Sequence, residues 1–205
     1  YHVYDDIFNT ADFHLPQKRN RSYIFATLEE PQEGLLFNFT AQAISEHFNS
    51  KLDSFSGLKS NSVLDFLDAD ADRKYFLSER IKPTILSDGS KGYKSHSEIN
   101  QVVARPLTAT MHKMHRACQD NYYSQDFIVS KGKVNAAQTA SKEDLLKMDI
   151  RRITPEEAFM IQGFPKSHVE NARAAGVSDG ALYKQAGNAV SVKIIYAILL
   201  YLIDN

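Results

Sequence analysis

The chain has 205 residues, 43% of them hydrophobic and 24% charged, with 24 lysines and arginines against 25 aspartates and glutamates and a net charge of −1. This is the composition of a globular chain of one or two domains with enough apolar content for a sizeable core, and it lacks the basic excess that marks a whole surface for nucleic acid. A single cysteine, Cys118, excludes an internal disulfide framework and a multi-cysteine metal site, and fits a reducing cytosol.

At the N-terminus no signal peptide is recognisable, and the chain opens on Tyr1 rather than methionine, which suggests a trimmed or cleaved product. Residues 1–28 alternate apolar and polar runs around Pro16, with a strand-like stretch at 22–26, and predict a β-hairpin. One or two helical turns are expected over 41–48. The stretch 48–62, rich in Ser, Asn, Lys and Gly, reads as a connection holding a domain boundary. Val63, Leu64, Phe66 and Leu67, and then residues 73–80, predict two short helices. A polar, Gly-bearing loop at 87–97 precedes short extended pieces around Val102 and at 127–129. Near the C-terminus, residues 194–203 are strongly apolar but too few to span a bilayer, and read as a helix buried on more than one face.

Three local patterns carry chemistry. Gln17, Arg19 and Arg21 stand at i, i+2 and i+4, so an extended strand would present all three on one face and Lys18 and Asn20 on the other. Two guanidinium forks on one shelf suit a phosphate or the carbonyl edge of a base; the alternative is a strand edge guarded by charge. Thr154, Pro155 and Glu157 spell a capping box with proline at the first helical position, and Gly163 is placed to end that helix. On its own this is a well-capped helix. Gly187 and Asn188 predict a turn ahead of the apolar helix, glycine supplying a geometry that a side chain would block.

The middle of the chain is locally basic: residues 91–133 hold seven Lys or Arg against three acidic residues, with His96, His112 and His115. Arg105, Thr108, Thr110, Lys113, Arg116, Gln119 and Asn121 are candidates for DNA contacts, since Arg, Lys, Asn and Gln pair with base edges and Thr anchors phosphates. Solvated surface is the alternative for each. His112, His115 and Cys118 share a helical spacing but lack a fourth ligand, so no metal site is predicted. Cys118 follows alanine and reads as a small structural thiol.

In order along the chain, Pro16 to Arg21, Thr154 to Pro165 and Gln185 to Val190 resemble the last three conserved motifs of the cytosine-5 DNA methyltransferases, strongly over residues 1–30 and 150–205 and loosely between. The resemblance implies an α/β fold: the C-terminal portion of a Rossmann-like SAM-dependent methyltransferase domain plus a small, mainly β target recognition domain. It divides the chain into 1–48, carrying the last strands of the catalytic domain; 49–165, the recognition domain with its bracing helix; and 166–205, returning to the catalytic domain. Arg21 would touch a flipped cytosine, Arg19 would order the active site and Gln17 would support the loop. Asn188, Ala189 and Val190 would contact S-adenosyl-L-methionine.

The family's Pro-Cys nucleophile, Gly-rich cofactor loop and Glu-Asn-Val motif are not in this sequence. The implied protein is therefore a fragment or subunit of a DNA (cytosine-5-)-methyltransferase, inactive alone, whose partners are double-stranded DNA and the N-terminal catalytic half, in a bacterial cell interior. The competing reading is a non-catalytic DNA-binding or regulatory module derived from such an enzyme. Three departures stand out: His14 where glycine is usual, Met160 where arginine is common, and Lys166 where aspartate is frequent. The last two put the brace's salt bridge in doubt.

Overall fold

The computed structural model describes residues 1–29, 38–52, 60–87, 89–90, 92–94, 97–116 and 118–204. Parts of the predicted connection at 48–62 and loop at 87–97 lie outside them. Strand β1 (His2–Asn9) runs antiparallel to β2 (Asn20–Thr27), with Asn9 opposite Asn20 and His2 opposite Thr27. A 3-10 turn over Thr10–Phe13 fills the hairpin tip, its first turn closed by the Asn9 side chain. Alternation puts Tyr4, Phe8, Tyr23 and Phe25 against the core and leaves Val3, Ile7 and Ile24 60–71% exposed.

Helix α1 (Ala41–Lys51) is capped by Thr40, whose hydroxyl accepts from the Ala43 N–H, and it buries Ile44 and Phe48 one turn apart. Helix α8 (Val192–Asp204) buries Ile194, Ala197, Ile198 and Tyr201 at i, i+3, i+4 and i+7 against α1 and the hairpin. Each large side chain so buried contributes roughly 1.5–3 kcal/mol. The two ends of the chain thus build one core.

Residues between these ends build a second core around Leu107, Tyr123, Phe127, Ile153, Phe159, Leu182 and Tyr183. The elements of this part are short, α2 and α4 packing on a separate small cluster of Leu77, Ile85, Leu86, Tyr122 and Ile150: α2 (Lys82–Ile85), the pair β3 (Gly89–Ser90) and β4 (Tyr93–Lys94), β5 (Tyr122–Ser124), α3 (Gln125–Val129), α4 (Lys142–Lys147) and β6 (Ile150–Arg152), which pairs with β5. Then follow α5 (Pro155–Ile161), α6 (Lys166–Ala174) and α7 (Asp179–Asn188).

Several expectations are corrected. The middle is not mainly β among the described residues: its ladders are two or three residues long. Buried side chains take the backbone groups instead, as when Asn121 both accepts from the Arg105 N–H and donates to the Arg105 carbonyl. Residues 127–129 belong to a helix rather than an extended piece, and the two helices expected over 63–80 are single 3-10 turns, Val63–Asp65 and Arg73–Tyr75. Helix α1 is longer than the one or two turns expected.

The run Asp179–Asp204 is long and apolar enough, by length and composition, to cross a membrane. Here it is two helices interrupted at Ala189–Ser191, and both contribute to cores. One side of α8 nevertheless stays apolar and open, with Ile195, Leu199 and Ile203 exposed at 40%, 52% and 79%.

Candidate functional site

Residues 16–19 lead into β2 through backbone bonds on both sides. The Lys18 N–H donates to the Ala104 carbonyl at 3.0 Å, and the Ala104 N–H donates to the Pro16 carbonyl at 2.7 Å. The Arg19 N–H donates to the Thr10 hydroxyl at 3.1 Å. Burial alternates: Gln17 and Arg19 are buried, while Lys18 and Asn20 are exposed.

Arg19 reaches the far end of the chain. Its Nη2 donates to the Gly187 carbonyl at 3.1 Å and to the Ala189 carbonyl at 2.9 Å. These carbonyls stand at the C-terminal end of α7, where the last turn leaves acceptors without helical partners and a cation complements the dipole. Burial, and then the neighbouring Arg21 charge, lower the Arg19 pKa to about 10, so the group still carries its charge at neutral pH. Arg21 is exposed, with Nη1 on the Asn20 carbonyl at 2.7 Å. The expected shelf of two arginines is therefore divided, because desolvated carbonyls draw one guanidinium inward and leave the other to solvent. Both polar atoms of Gln17, and Nε and Nη1 of Arg19, are buried without a hydrogen-bond partner among the described residues. Such groups each cost about 1–3 kcal/mol, a cost that concentrates at sites built for another ligand or chain.

Gly187 is helical, not part of a turn, and Asn188 is the last residue of α7 without positive φ. The glycine is required by proximity. A Cβ there would lie 2.2 Å from the Thr108 carbonyl carbon and 2.3 Å from the Ala109 nitrogen. Backbone of the middle segment thus rests directly on the α7 end that Arg19 holds. Gln162, fully buried, grips the same crossover: its Nε2 donates to the Ala186 carbonyl at 3.4 Å, and its Oε1 accepts from the Ser191 hydroxyl at 2.9 Å. Asn188 and Val190 face outward, and a shallow cleft of about 520 Å³ is lined by Ala181, Lys184, Gln185, Asn188 and Ala189.

The predicted capping box is present: Thr154 Oγ1 accepts from the Glu157 N–H, and Glu157 Oε2 accepts from the Thr154 N–H. Gly163, at φ 91°, ends the helix, with the Phe164 N–H on the Phe159 carbonyl. Arg151 meets Glu157 through two bonds of 2.8 and 2.7 Å, both side chains essentially unexposed. Arg151 also donates to the Asp68 carbonyl, and Glu157 accepts from the Asp68 N–H. A second brace joins Arg173 to Glu156 at 2.5 Å and to Asp179, with Tyr75 donating to Asp179 at 2.9 Å. The bracing charge pairs exist, then, but use Arg151 and Arg173 rather than positions 160 and 166.

The seven candidate DNA contacts separate by environment. Asn121 is buried and bonded to the Arg105 backbone, and Arg105 Nη1 lies on the carbonyls of Glu98 and Asp120. Thr108 holds a buried hydroxyl without a hydrogen-bond partner among the described residues, beside Gly187. Thr110 is half-buried and accepts the Lys113 N–H in a turn; Lys113 itself is exposed. Arg116 donates to the exposed Gln119 at 3.1 Å. Cys118 is half-buried, and among the described residues no group of three or more His, Cys, Asp or Glu could hold a metal ion.

Two further groups matter to the site: His14, marked in the sequence only as standing where glycine is usual, and Lys193, which carries no sequence signal. His14 sits in the left-handed region at φ 54°, with one ring nitrogen 3.1 Å from Asn61 Oδ1 and the other 2.8 Å from Asn49 Oδ1. Its carbonyl accepts from the buried Lys193 Nζ at 2.6 Å, and burial lowers the Lys193 pKa to about 8.

The sequence matches the family described as C-5 cytosine-specific DNA methylase over residues 1–203. It is 29% identical to the type II methyltransferase M.SsoII of Shigella sonnei over 199 residues, 97% of this chain and 43% of that protein. It is 46% identical to the orphan methyltransferase M.SPRI of Bacillus phage SPR over 59 residues, 29% of this chain and 13% of that protein. The fold is similar to that of the Dnmt2 methyltransferase of S. pombe, with a TM-score of 0.70 and 18% identity over 99% of this chain and 58% of that one. It is also similar to the Entamoeba histolytica methyltransferase EhMeth, with a TM-score of 0.63 and 20% identity over 99% of this chain and 53% of that one. The chain spans about half the length of the relatives it matches.

Proposed function

The chain belongs to the C-5 cytosine-specific DNA methylase family, and from that premise we propose that it supplies DNA recognition and part of the cytosine and S-adenosyl-L-methionine sites of a DNA (cytosine-5-)-methyltransferase. The observation that carries the reading is Arg19 on the carbonyls of Gly187 and Ala189. One bonded unit then holds Arg21, offered to a cytosine turned out of the duplex, and Asn188, Ala189 and Val190, offered to the cofactor. A target atom inside the base stack has to be brought out to react, and a planar guanidinium fork suits the edge of such a base.

Gln17 and Arg19 act as positioning residues, their buried side chains fixing the segment that leads to Arg21. When bound, S-adenosyl-L-methionine supplies the methyl group. The residues here hold and orient, while the cysteine that adds to the ring belongs to the other half. Cys118, on the middle segment and not preceded by proline, does not fill that role, so the chain alone does not methylate. Lys113, Arg116 and Gln119 fit DNA contacts, Thr108 and Thr110 line the approach, and Arg105 and Asn121 shape the loop. Residues 49–165 form the recognition unit and 1–48 with 166–205 the catalytic-domain portion, working in the cell interior.

The test is transfer of labelled methyl groups to unmethylated duplex DNA by this chain, by the complementary N-terminal half and by the two mixed. Activity only on mixing is expected. Activity in this chain alone overturns the assignment, and silence on mixing favours a non-catalytic DNA-binding module.

A further inference from the structure

Away from the Arg19–Gly187 junction, a cleft of about 520 Å³ opens between residues 97–101 and residues 135–145. Its polar lining is mostly carboxamide, Asn100, Gln101, Asn135 and Gln138, with one hydroxyl, Ser97, one carboxylate, Glu98, and one ammonium, Lys142. We propose that this cleft reads base edges of duplex DNA flanking the target cytosine, with Gln101 and Gln138 as specificity-determining residues; the proposal rests on the DNA reading above.

Three observations carry it. First, the lining is close to neutral and includes a carboxylate, which is unfavourable for phosphate but suited to the mixed donors and acceptors of base edges. Carboxamides pair with adenine and a carboxylate accepts from the cytosine amine. Second, the cleft is preorganised. Asn100, buried and at φ 62°, donates to Ser124 Oγ and Asn135 Oδ1 and accepts from the Ser124 N–H. Glu98 accepts from the Gln101 amide at 2.5 Å, leaving the Gln101 carbonyl free of that bond. Third, the cleft is within reach. Gln101 is three residues from Ala104, which is bonded to Lys18 beside the arginines, and three residues span at most roughly 10 Å.

The test selects preferred duplexes from a random library with this chain, then compares Gln138→Ala and Gln101→Ala with the parent on the selected and on unrelated duplexes. Gln138 is exposed, so its replacement leaves the fold intact, and equal thermal midpoints check this. Support would be a loss of roughly tenfold in preference at one or two positions, with unchanged affinity for unrelated DNA and unchanged salt slope. Retention of the full preference by both variants overturns the cleft assignment while leaving DNA reading in place. DNA binding without any sequence preference in the parent also overturns it, and absence of DNA binding at low salt overturns the underlying reading as well.

Discussion

Arg19 and Gly187 are 168 positions apart in the chain, and the guanidinium of the first donates to the carbonyl of the second at 3.1 Å. A second bond to Ala189 makes the arginine a cap for α7 and a bolt between the chain's two ends.

That bolt requires a fork. Arg19→Lys keeps the charge but offers a single ammonium where two carbonyls are spanned, and Arg19→Met removes the donors altogether. Loss of stability of about 1.5–3 kcal/mol is expected for the methionine variant, from charge-assisted bonds to buried carbonyls, with lysine in between. Arg21→Ala, at an exposed position, should stay within about 0.5 kcal/mol. Urea midpoints for the three variants decide this; equal loss at Arg19 and Arg21 would refute the division of labour.

Gly187→Ala should break the usual sign. Within a helix, alanine is ordinarily favoured over glycine by about 1 kcal/mol. Here the added methyl meets backbone atoms at 2.2–2.4 Å, so α7 or the Thr108–Ala109 peptide has to move. A lowered thermal midpoint is expected, and a raised one would show that the two segments do not touch.

For Arg151 and Glu157 the prediction is one of non-additivity. Arg151→Met alone strands a carboxylate with no exposure and should cost about 3–5 kcal/mol. Pairing it with Glu157→Gln removes the stranded charge and keeps one acceptor for the Thr154 and Asp68 N–H groups, which now lie on different oxygens of Glu157, and should recover part of the loss. A double-mutant cycle of denaturant midpoints measures the coupling; a cycle that sums to zero contradicts it.

Lys193 gives a pH dependence of definite sign. Burial lowers its folded pKa to about 8, below the unfolded value of about 10.4. Between those values the unfolded chain holds the extra proton, so this group makes stability rise with pH from about 8 to about 10.4. Tyr122, Tyr123 and Tyr183, whose pKa values burial raises, work in the opposite direction above about pH 10. The difference between the parent and Lys193→Met isolates the lysine. Its advantage for methionine should shrink as pH rises, and a difference that does not vary with pH would refute the burial argument.

The hairpin and the capped helix α5 were legible because their signals are local: alternation around a proline, and a threonine three residues before a glutamate. The need for glycine at 187 was legible too, but its cause was not, since the obstruction comes from Thr108 and Ala109 in a distant part of the chain. Nothing near Arg151 distinguishes it from exposed arginines; only Glu157 and the Asp68 backbone make it a core residue. Phe127, Ile128 and Val129 favour a strand by residue type, yet they lie in a short helix that buries Phe127 and Ile128 in the second core and leaves Val129 61% exposed. The inward turn of Arg19 depends on carbonyls that only the closed fold supplies.

His14 holds a further consequence. Its ring touches Asn49 and Asn61 on the outgoing chain, and its carbonyl takes Lys193 on the returning chain. Everything between Asn61 and Lys193 therefore leaves and re-enters at one clasp, as an insert does whose ends lie side by side. A segment attached in that way can be lengthened, shortened or exchanged for another without parting the strands and helices that hold its ends. The core formed by β1, β2, α1 and α8 is accordingly a socket, able to accept new readers in evolution or by grafting, provided that each replacement offers Arg19 carbonyls where those of Gly187 and Ala189 now stand.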